Sequence, residues 1–403
     1  MPLCTRRGTF WSAAFVLALC LWSSGAPSVL YPLYAAEWRL PPVVTTSVFA
    51  TYPLALLVVL LLAGGLSDVL GRRRAMLIGV ALIAVGAAVF AVPASVAVLF
   101  LGRAVQGLGV GFAFSAANAS LVENTVFDSP RAAGVVTTAS TSGGLALSLV
   151  VGGVLAQLLP LPLVLTHLVT LALALLAFVF VYCTPDDRPD AARPVPGRPA
   201  IAPGTHGAVV TATLGVVVAY AVGAVVMSLG AQMARQLAGT GDLSVVGLLL
   251  GLSCAVIGAT AVLVGRFPPV VATLVGAVVS LLGLVPVVIA AETGSFAMFL
   301  LWCVVSGVGY SFAFSGGVSL AAKEAPPSHR ARTFSLVYLV SYLLQTVVAV
   351  GAGALATALG LKVAIAWLAP VIAVLCVALL IGSLSGIVKA GRRSRDVAVS
   401  GVR

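Results

Sequence analysis

One short run between two long apolar stretches contains the residue types that form a tight, charged turn. Its residues are Gly64, Gly65, Leu66, Ser67, Asp68, Val69, Leu70, Gly71, Arg72, Arg73 and Arg74. The glycines allow a sharp turn and close approach of the flanking segments. Asp68 can accept hydrogen bonds from the positive end of a neighbouring helix. The run therefore predicts a tight turn in which Asp68 binds a neighbouring helix, whereas the arginines also fit a plain orientation signal.

A single cation inside an apolar stretch is the second candidate for chemistry. Arg103 falls about seven residues into a predicted helix, roughly 10 Å from the helix end at 1.5 Å per residue. Ionisable side chains inside a membrane are costly and mark functional sites. The alternative is that the long side chain of Arg103 extends to the outer interface. Arg103, together with Gln106 three residues further on, is therefore a candidate binding site.

Polar and aromatic side chains recur at helical spacing in other apolar stretches. In the seventh stretch the stripe consists of Tyr220, Met227, Ser228 and Gln232, and in the tenth of Trp302, Ser306, Tyr310 and Phe314. Further polar or amphipathic groups are Asn118 in the fourth stretch and Tyr338, Tyr342 and Gln345 in the eleventh. Such stripes also serve packing or face lipid. The predicted binding or coupling residues are Arg103, Gln106, Asn118, Tyr220, Gln232, Trp302 and Tyr310.

The acidic residues are informative by their positions. All eleven fall in loops or near helix ends, namely Glu37, Asp68, Glu123, Asp128, Asp186, Asp187, Asp190, Asp242, Glu292, Glu324 and Asp396. A central cavity with Arg103 and no carboxylate disfavours a fixed cationic substrate, because nothing offsets the desolvated charge. Neutral, amphipathic or anionic solutes fit better. Proton coupling has three candidates, Glu37, His167 and Glu123, each of which also fits an interfacial or packing role.

Composition defines the elements that position these side chains. Hydrophobic residues make up 61% of the chain and charged residues 8%, whereas soluble domains carry roughly 25% charged residues. We predict an all-α polytopic membrane protein with about twelve spans of roughly 20 residues. The spans cover 10–32, 43–66, 75–94, 96–121, 132–157, 163–183, 208–231, 243–265, 268–291, 295–321, 332–358 and 363–388.

The basic residues predict the orientation of these spans. With a cytoplasmic N-terminus, only Arg39, Arg235 and Lys362 fall in outer loops and Arg103 within a span, which leaves 18 of the 22 basic residues inside. This bias predicts a multi-pass protein of the plasma membrane with both termini in the cytoplasm. The net charge of +11 is therefore a topological signal, and a nucleic-acid partner is not expected.

The two halves of the chain resemble each other at an offset of 200 residues. Gly107, Gly109, Phe112, Ala113, Phe114 and Ser115 correspond to Gly307, Gly309, Phe312, Ala313, Phe314 and Ser315. Such repeats are typical of duplicated six-helix units. The proline-rich segment 184–207 predicts an extended cytoplasmic linker. We therefore divide the chain into an N-terminal bundle (1–183), this linker, and a C-terminal bundle with a basic cytoplasmic tail (208–403).

Two motifs resemble signatures of the major facilitator superfamily. The loop signature is matched by Gly64, Asp68, Gly71, Arg73 and Arg74, and the fourth-helix signature Arg-x-x-Gln-Gly by Arg103, Gln106 and Gly107. Val69 departs from the loop signature, which usually has a basic residue there. The resemblance implies a latch that holds the two halves together on the cytoplasmic side, centred here on Asp68, and we expect its partner near Arg332 and Thr333. Pro268 stands at the corresponding position of the second half, so this latch is one-sided. The fifth-helix glycine motif of exporters is partly met by Gly144, Gly152 and Gly153, with Ser148 and Leu149 in place of Gly-Pro.

The resemblance implies a secondary transporter with two six-helix bundles that move about a midplane site, lined mainly by helices 1, 4, 7 and 10. We expect efflux of small neutral or amphipathic compounds, as in the drug and metabolite efflux branch, in exchange for protons. Uptake of a sugar-like or organic-acid metabolite is the alternative, and a non-transporting receptor is a third.

Other classes of protein lack support in the sequence. Nucleotide-binding and hydrolase motifs are absent, and the six cysteines lack metal-site spacing. We therefore expect no enzyme activity, no cofactor and no metal. The predicted partners are a small-molecule substrate, the lipid bilayer and protons, and the predicted oligomeric state is a monomer.

Overall fold

The protein is described here by a computed structural model that covers residues 5–63, 70–127, 130–185, 201–237, 239–326 and 329–400. Throughout these ranges the regular elements are helices, without any strand. Twelve helices are long and apolar enough to cross a membrane. The predicted all-α polytopic fold is therefore confirmed. The predicted linker stays a prediction, because residues 186–200 lie outside the described ranges.

Apart from the C-terminal ends of the first and last helices, which lie 7 and 12 residues from the predicted limits, the twelve membrane helices begin and end within about four residues of them. They are α1 (Arg6–Gly25), α2 (Pro42–Ala63), α3 (Arg72–Phe90), α4 (Val96–Glu123), α5 (Pro130–Leu158), α6 (Pro162–Tyr182), α7 (His206–Ser228), α8 (Leu243–Val264), α9 (Pro269–Thr293), α10 (Phe296–Glu324), α11 (Arg330–Leu359) and α12 (Leu361–Ser400). The residues at the N-terminal ends determine where several of these helices begin. Proline occupies the first turn of α6 and α9, where its missing N–H is not needed. The carboxylate of Asp242 accepts a hydrogen bond from the Ser244 N–H at 2.7 Å and caps α8.

The first and seventh spans are each broken into two helices, which the sequence did not predict. After α1, a 3-10 turn (Ser28–Leu30) leads to a short helix, Tyr31–Trp38. After α7, Leu229 separates a second short helix, Gly230–Leu237. The prediction of continuous helices over 10–32 and 208–231 was therefore wrong at these two points. Pro27 contributes to the break in the first span, because it has no N–H to continue the hydrogen bonds of the helix.

The repeated glycines occupy equivalent positions in the two bundles. A side chain at Gly107 would meet the backbone carbonyl of Tyr52 on α2, and one at Gly307 would meet the carbonyl of Ser253 on α8. Thus α4 packs on α2 as α10 packs on α8. Small residues allow such close approach of membrane helices. The duplication predicted from the sequence is confirmed by these matched contacts.

Within the described ranges, the most extensive contacts between the bundles are those of α2 with α11 and of α5 with α8. In the first pair, the Val43 N–H donates to Thr357 Oγ1 at 3.0 Å. In the second, the Leu243 N–H donates to Gln157 Oε1 at 2.9 Å. A side chain at Gly153 would meet the Leu243 carbonyl, so the α5–α8 crossing depends on glycine. These contacts all lie near the end of the molecule where α2 and α8 begin.

The two ends of the molecule differ in how the bundles meet. We call the end where α1 begins and α12 finishes the basic face, and the other end the opposite face. A single hydrophobic core at the opposite face contains residues of both bundles, from Val29 and Phe49 to Val246 and Ala352. Towards the basic face each bundle has a core of its own. The bundles are thus closed together at the opposite face.

Candidate functional site

Arg103 lies fully buried in the N-terminal bundle and contacts the break in the first span. Its Nε and Nη2 donate to the Tyr31 hydroxyl at 3.0 and 2.7 Å. Its Nη1 donates to the backbone carbonyls of Ser24 at 3.0 Å and Ser23 at 3.4 Å. The side chain therefore points into the bundle, and extension to the outer interface is not observed.

The break explains why a cation is needed at this point. In a continuous helix the Ser23 carbonyl would accept from the N–H of residue 27, but residue 27 is proline and has none. Arg103 supplies the missing donor. The carbonyls at the end of α1 also carry the negative end of the helix dipole, which stabilises a nearby cation. Within the described ranges no carboxylate pairs with Arg103.

Two tyrosine rings complete the surroundings of the guanidinium. The Cζ atom of Arg103 lies 5.7 Å from the ring centroid of Tyr31 and 5.6 Å from that of Tyr52. Both distances are within the range of cation–π attraction. Tyr52 belongs to α2, one of the helices at the bundle junction. Neither Tyr31 nor Tyr52 was predicted from the sequence. The available signal was a tyrosine within each of the first two predicted spans, with Tyr31 four residues after Pro27.

A second polar group in this bundle surrounds His167. The ring of His167 stacks on Phe90 at 4.7 Å between centroids, and its Nε2 lies 3.3 Å from the Tyr34 hydroxyl. His167 is fully buried, so these contacts favour its packing role. Gln106 is also fully buried, and within the described part of the protein neither of its amide atoms has a hydrogen-bond partner. Gln106 therefore keeps unused hydrogen-bonding capacity beside Arg103.

An aromatic cluster lies where α7, α10 and α11 meet. Tyr220 stacks on Phe314 at 5.8 Å, and Phe314 stacks on Tyr310 at 5.9 Å. The ring centroid of Tyr342 lies 4.9 Å from that of Tyr220. Tyr338 extends the cluster along α11, 6.2 Å from Tyr342. We call these five residues the tyrosine cluster. The structure thus brings the predicted residues Tyr220 and Tyr310 together.

Tyr342 connects this cluster to the other bundle. It packs against the core of the N-terminal bundle, which includes Tyr52, and also against the core that includes Tyr220. The tyrosine cluster and Arg103 therefore lie on two sides of one junction, with Tyr52 between them. Tyr342 is half-buried, as are Tyr310 and Phe314, so the cluster has surface available for a ligand.

Three other predicted site residues lie elsewhere. Trp302 is buried against Phe299 and lines an apolar cavity of about 30 Å³ inside the C-terminal bundle. Asn118 is exposed and accepts a hydrogen bond from Thr137 Oγ1 at 3.3 Å. Gln232 lies beyond the break in the seventh span, in the short helix Gly230–Leu237. The predicted stripe from Tyr220 to Gln232 is therefore not one continuous helical face.

The part of the charged run that the structure describes fastens α3 to its neighbours. Gly71 has φ 85°, a left-handed conformation that favours glycine, and α3 begins directly after it. Arg72 forms an ion pair with Glu123 at 3.2 Å. Arg73 donates to the carbonyls of Val181 and Tyr182 at the end of α6. These contacts favour a structural role for both arginines within one bundle.

The latch itself is not tested by these contacts. Gly64 and Asp68 lie outside the described residues, so the latch stays a prediction. The Arg72–Glu123 pair is partly exposed, with 53% of the Glu123 side chain accessible, and such pairs contribute about 1 kcal/mol or less. The ion pair with Arg72 favours an interfacial role for Glu123 over proton coupling.

The carboxylates of the described ranges all stay away from the junction. Glu37 is exposed in the short helix Tyr31–Trp38. The remaining ones whose side chains are described lie at helix ends, namely Glu123, Asp242, Glu292 and Glu324. Within the same ranges, no group of three or more histidine, cysteine or acidic side chains could hold a metal ion. The junction therefore offers aromatic rings, hydroxyls and one buried cation.

Comparison with known proteins agrees with this architecture. A family model described as the Major Facilitator Superfamily matches residues 13–347. A solved peptide transporter POT in complex with sulfate superimposes with a TM-score of 0.76 at 17% identity, covering 96% of this chain and 94% of that one. A bacterial homolog to the human lysosomal transporter Spinster, inward-facing and unoccupied, gives a TM-score of 0.72 at 15% identity, covering 94% and 97%. At such identities these likenesses show the fold alone.

A curated relative is similar over a shorter segment. The uncharacterized MFS-type transporter EfpA of Mycobacterium tuberculosis (strain CDC 1551 / Oshkosh) is 37% identical over 112 residues. That segment is 27% of this chain and 21% of the relative. The match thus spans about a fifth of the relative's length.

Proposed function

Because this chain belongs to the major facilitator superfamily, we propose that it is a secondary transporter that exports small neutral or amphipathic compounds by alternating access. The family and the fold indicate a multi-pass membrane transporter of a small-molecule substrate. The direction of transport, the substrate class and the exchange for protons are our proposals.

The tyrosine cluster is the observation that carries the substrate class. Its rings lie at the junction of the two bundles, where alternating access exposes a site to each side in turn. Stacked aromatic rings offer apolar area, and their hydroxyls offer hydrogen bonds. No carboxylate of the described ranges lies at this junction, so a fixed positive charge would find no partner and would oppose Arg103. A neutral, ring-containing compound fits best.

The closure at the opposite face supports the proposed direction. The basic face carries most of the basic residues, so we assign it to the cytoplasm by the positive-inside rule. The bundles share one core at the opposite face and have separate cores towards the basic face. A site at the junction would then be reached from the cytoplasm in this conformation, which is the loading step of an exporter.

Transport into inside-out proteoliposomes tests the proposal. We expect a neutral aromatic fluorophore to accumulate when the lumen is acidic, and its quaternary ammonium analogue to move at least about tenfold more slowly, because moving a buried charge without a partner costs more than 1.4 kcal/mol. Tyr342→Ala should lower the rate by about fivefold, because the lost ring stacking contributes roughly 1 kcal/mol. Trp367→Ala is the control, since Trp367 is 62% exposed on α12.

The outcomes separate the alternatives. Equal rates for the neutral and cationic compounds would refute the substrate class. Accumulation driven by the reverse pH gradient would indicate uptake by symport, and flux independent of pH would remove the exchange for protons. If Tyr342→Ala and Trp367→Ala behaved alike, the tyrosine cluster would not be the binding site.

A further inference from the structure

A cavity on the basic face lies apart from the junction and from the proposed transport function. It has a volume of about 380 Å³ and opens beside the first turn of α1. Its lining consists of Arg6, Arg7, Thr125, Val126 and Phe127. Two cations, a hydroxyl and an aromatic ring thus surround one space at the level where a membrane helix enters the bilayer.

The charge in this cavity is uncompensated within the described part of the chain. Arg6 and Arg7 are exposed and form no ion pair with a described carboxylate. The nearby carboxylate of Glu123 is engaged by Arg72 at 3.2 Å. Thr5 caps α1 by accepting from the Gly8 N–H, which leaves the N–H groups of Arg6 and Arg7 without helical acceptors. The electrostatics therefore favour an anion.

An apolar surface adjoins the same cavity. The ring of Phe10 contacts Trp11 at 5.2 Å and Phe127 at 5.7 Å, both edge to face. Trp11 is 54% exposed, Phe127 42% and Val122 54%. Tryptophan at this depth is typical of the membrane interface. The cationic cavity is thus continuous with an exposed apolar surface that includes Trp11 and Phe127, which fits a ligand with both an anionic head and an apolar part.

We propose that this cavity binds the headgroup of an anionic phospholipid. The phosphate contacts the guanidinium groups of Arg6 and Arg7, which suit phosphate oxygens in paired geometry, and the acyl chains lie along Trp11 and Phe127. A free phosphate would use the cations alone. A lipid fits better than a free phosphate because the two arginines directly adjoin the exposed aromatic surface.

Lipid retention by the full-length protein tests this site without any transport assay. The protein is reconstituted in nanodiscs of phosphatidylcholine with a minor fraction of phosphatidylglycerol, and bound lipid is measured by native mass spectrometry. We expect phosphatidylglycerol to be enriched over phosphatidylcholine. Arg6→Gln/Arg7→Gln should lower this enrichment by roughly tenfold or more, since both basic groups that attract the anionic headgroup are removed.

A matched pair of variants separates a site from general charge attraction. Arg266→Gln/Lys323→Gln removes the same charge from the same face of the other bundle, where both residues are exposed, and should retain the enrichment. Arg6→Lys/Arg7→Lys should retain most of it, which also shows that the segment still folds when the arginines are replaced. Equal losses in the two glutamine variants would overturn the proposal.

The source of the phosphate is distinguished by competition and by the aromatic surface. Millimolar inorganic phosphate should not displace phosphatidylglycerol, and Trp11→Ala should weaken its retention. Displacement by inorganic phosphate, or retention unchanged in Trp11→Ala, would show a site for a free anion and would overturn the lipid assignment.

Discussion

Arg103 is stabilised in an apolar bundle by neutral groups. Its guanidinium donates to one tyrosine hydroxyl and two backbone carbonyls, and two aromatic rings flank it. Both carbonyls belong to the last turn of α1, at the break before Pro27. The cation therefore replaces helix hydrogen bonds that the proline removed. This arrangement also ties the position of α4 to the conformation of the first span.

This exchange of donors predicts coupling between Arg103 and Pro27. Arg103→Met leaves buried acceptors unsatisfied, each at a cost of about 1–3 kcal/mol, so we expect a destabilisation of roughly 3 kcal/mol or more. In a Pro27→Ala background the new N–H reaches the Ser23 carbonyl, and the same substitution should cost about 1 kcal/mol less. Unfolding free energies in a mixed-detergent titration measure both.

The prediction would be contradicted if the effects of Arg103→Met and Pro27→Ala on the unfolding free energy were additive. If Arg103→Met cost the same with and without Pro27, the guanidinium would not act as a replacement donor. Lys362→Met is the reference for removing a cation, because Lys362 is exposed at the opposite face. Its effect should stay within about 0.5 kcal/mol, as for most surface substitutions.

At the scale of helices, the bundle junction depends on glycines of α5 and α8. A side chain at Gly247 would meet the carbonyl of Leu149, and one at Gly153 would meet that of Leu243. On its other side α5 approaches α1 equally closely, since a side chain at Gly144 would meet the Ala18 carbonyl. The glycine motif that resembles that of exporters therefore acts here as a packing surface on two sides of α5.

Enlarging one of these glycines should open the opposite face. Gly247→Val forces α5 and α8 apart because the obstructing atoms are backbone, which cannot rotate away. We expect the distance between spin labels at Leu158 and Lys362, one on each bundle, to shift to longer values. Gly143→Val is the control on α5, where a side chain would meet nothing within 4 Å. An unchanged distance distribution in Gly247→Val would show that this crossing does not hold the face closed.

The sequence could predict the helices but not how they are broken or turned. The twelve spans could be predicted from the composition. The duplication of the bundles could be predicted from repeated residues such as Gly107 and Gly307. The break after α1 could not be predicted, because proline is tolerated inside membrane helices where neighbours satisfy the freed groups. That neighbour is Arg103, on a helix distant in sequence. Similarly, Tyr342 reaches the junction only because of the way α11 packs between the bundles.

Across the whole molecule, the asymmetry between the two faces suggests where the bundles must separate. Loading from the basic face is compatible with the present closure, but release on the other side requires the shared core at the opposite face to part. The α2–α11 contact lies in that region, where the Val43 N–H donates to Thr357 at 3.0 Å. A covalent bond at this contact should therefore stop the transport cycle while the site stays open to the basic face.

Val43→Cys/Thr357→Cys tests this requirement in a background without the native cysteines. Oxidation should form a disulfide across α2 and α11 and reduce transport to below about a tenth, because opening of a closed face is an obligatory step of alternating access. Reduction should restore the rate, and Val43→Cys alone should respond to neither treatment. Substrate binding from the basic face should persist in the oxidised protein. Full transport with the disulfide intact would mean that the two bundles need not part at this contact, and would contradict alternating access by movement of whole bundles.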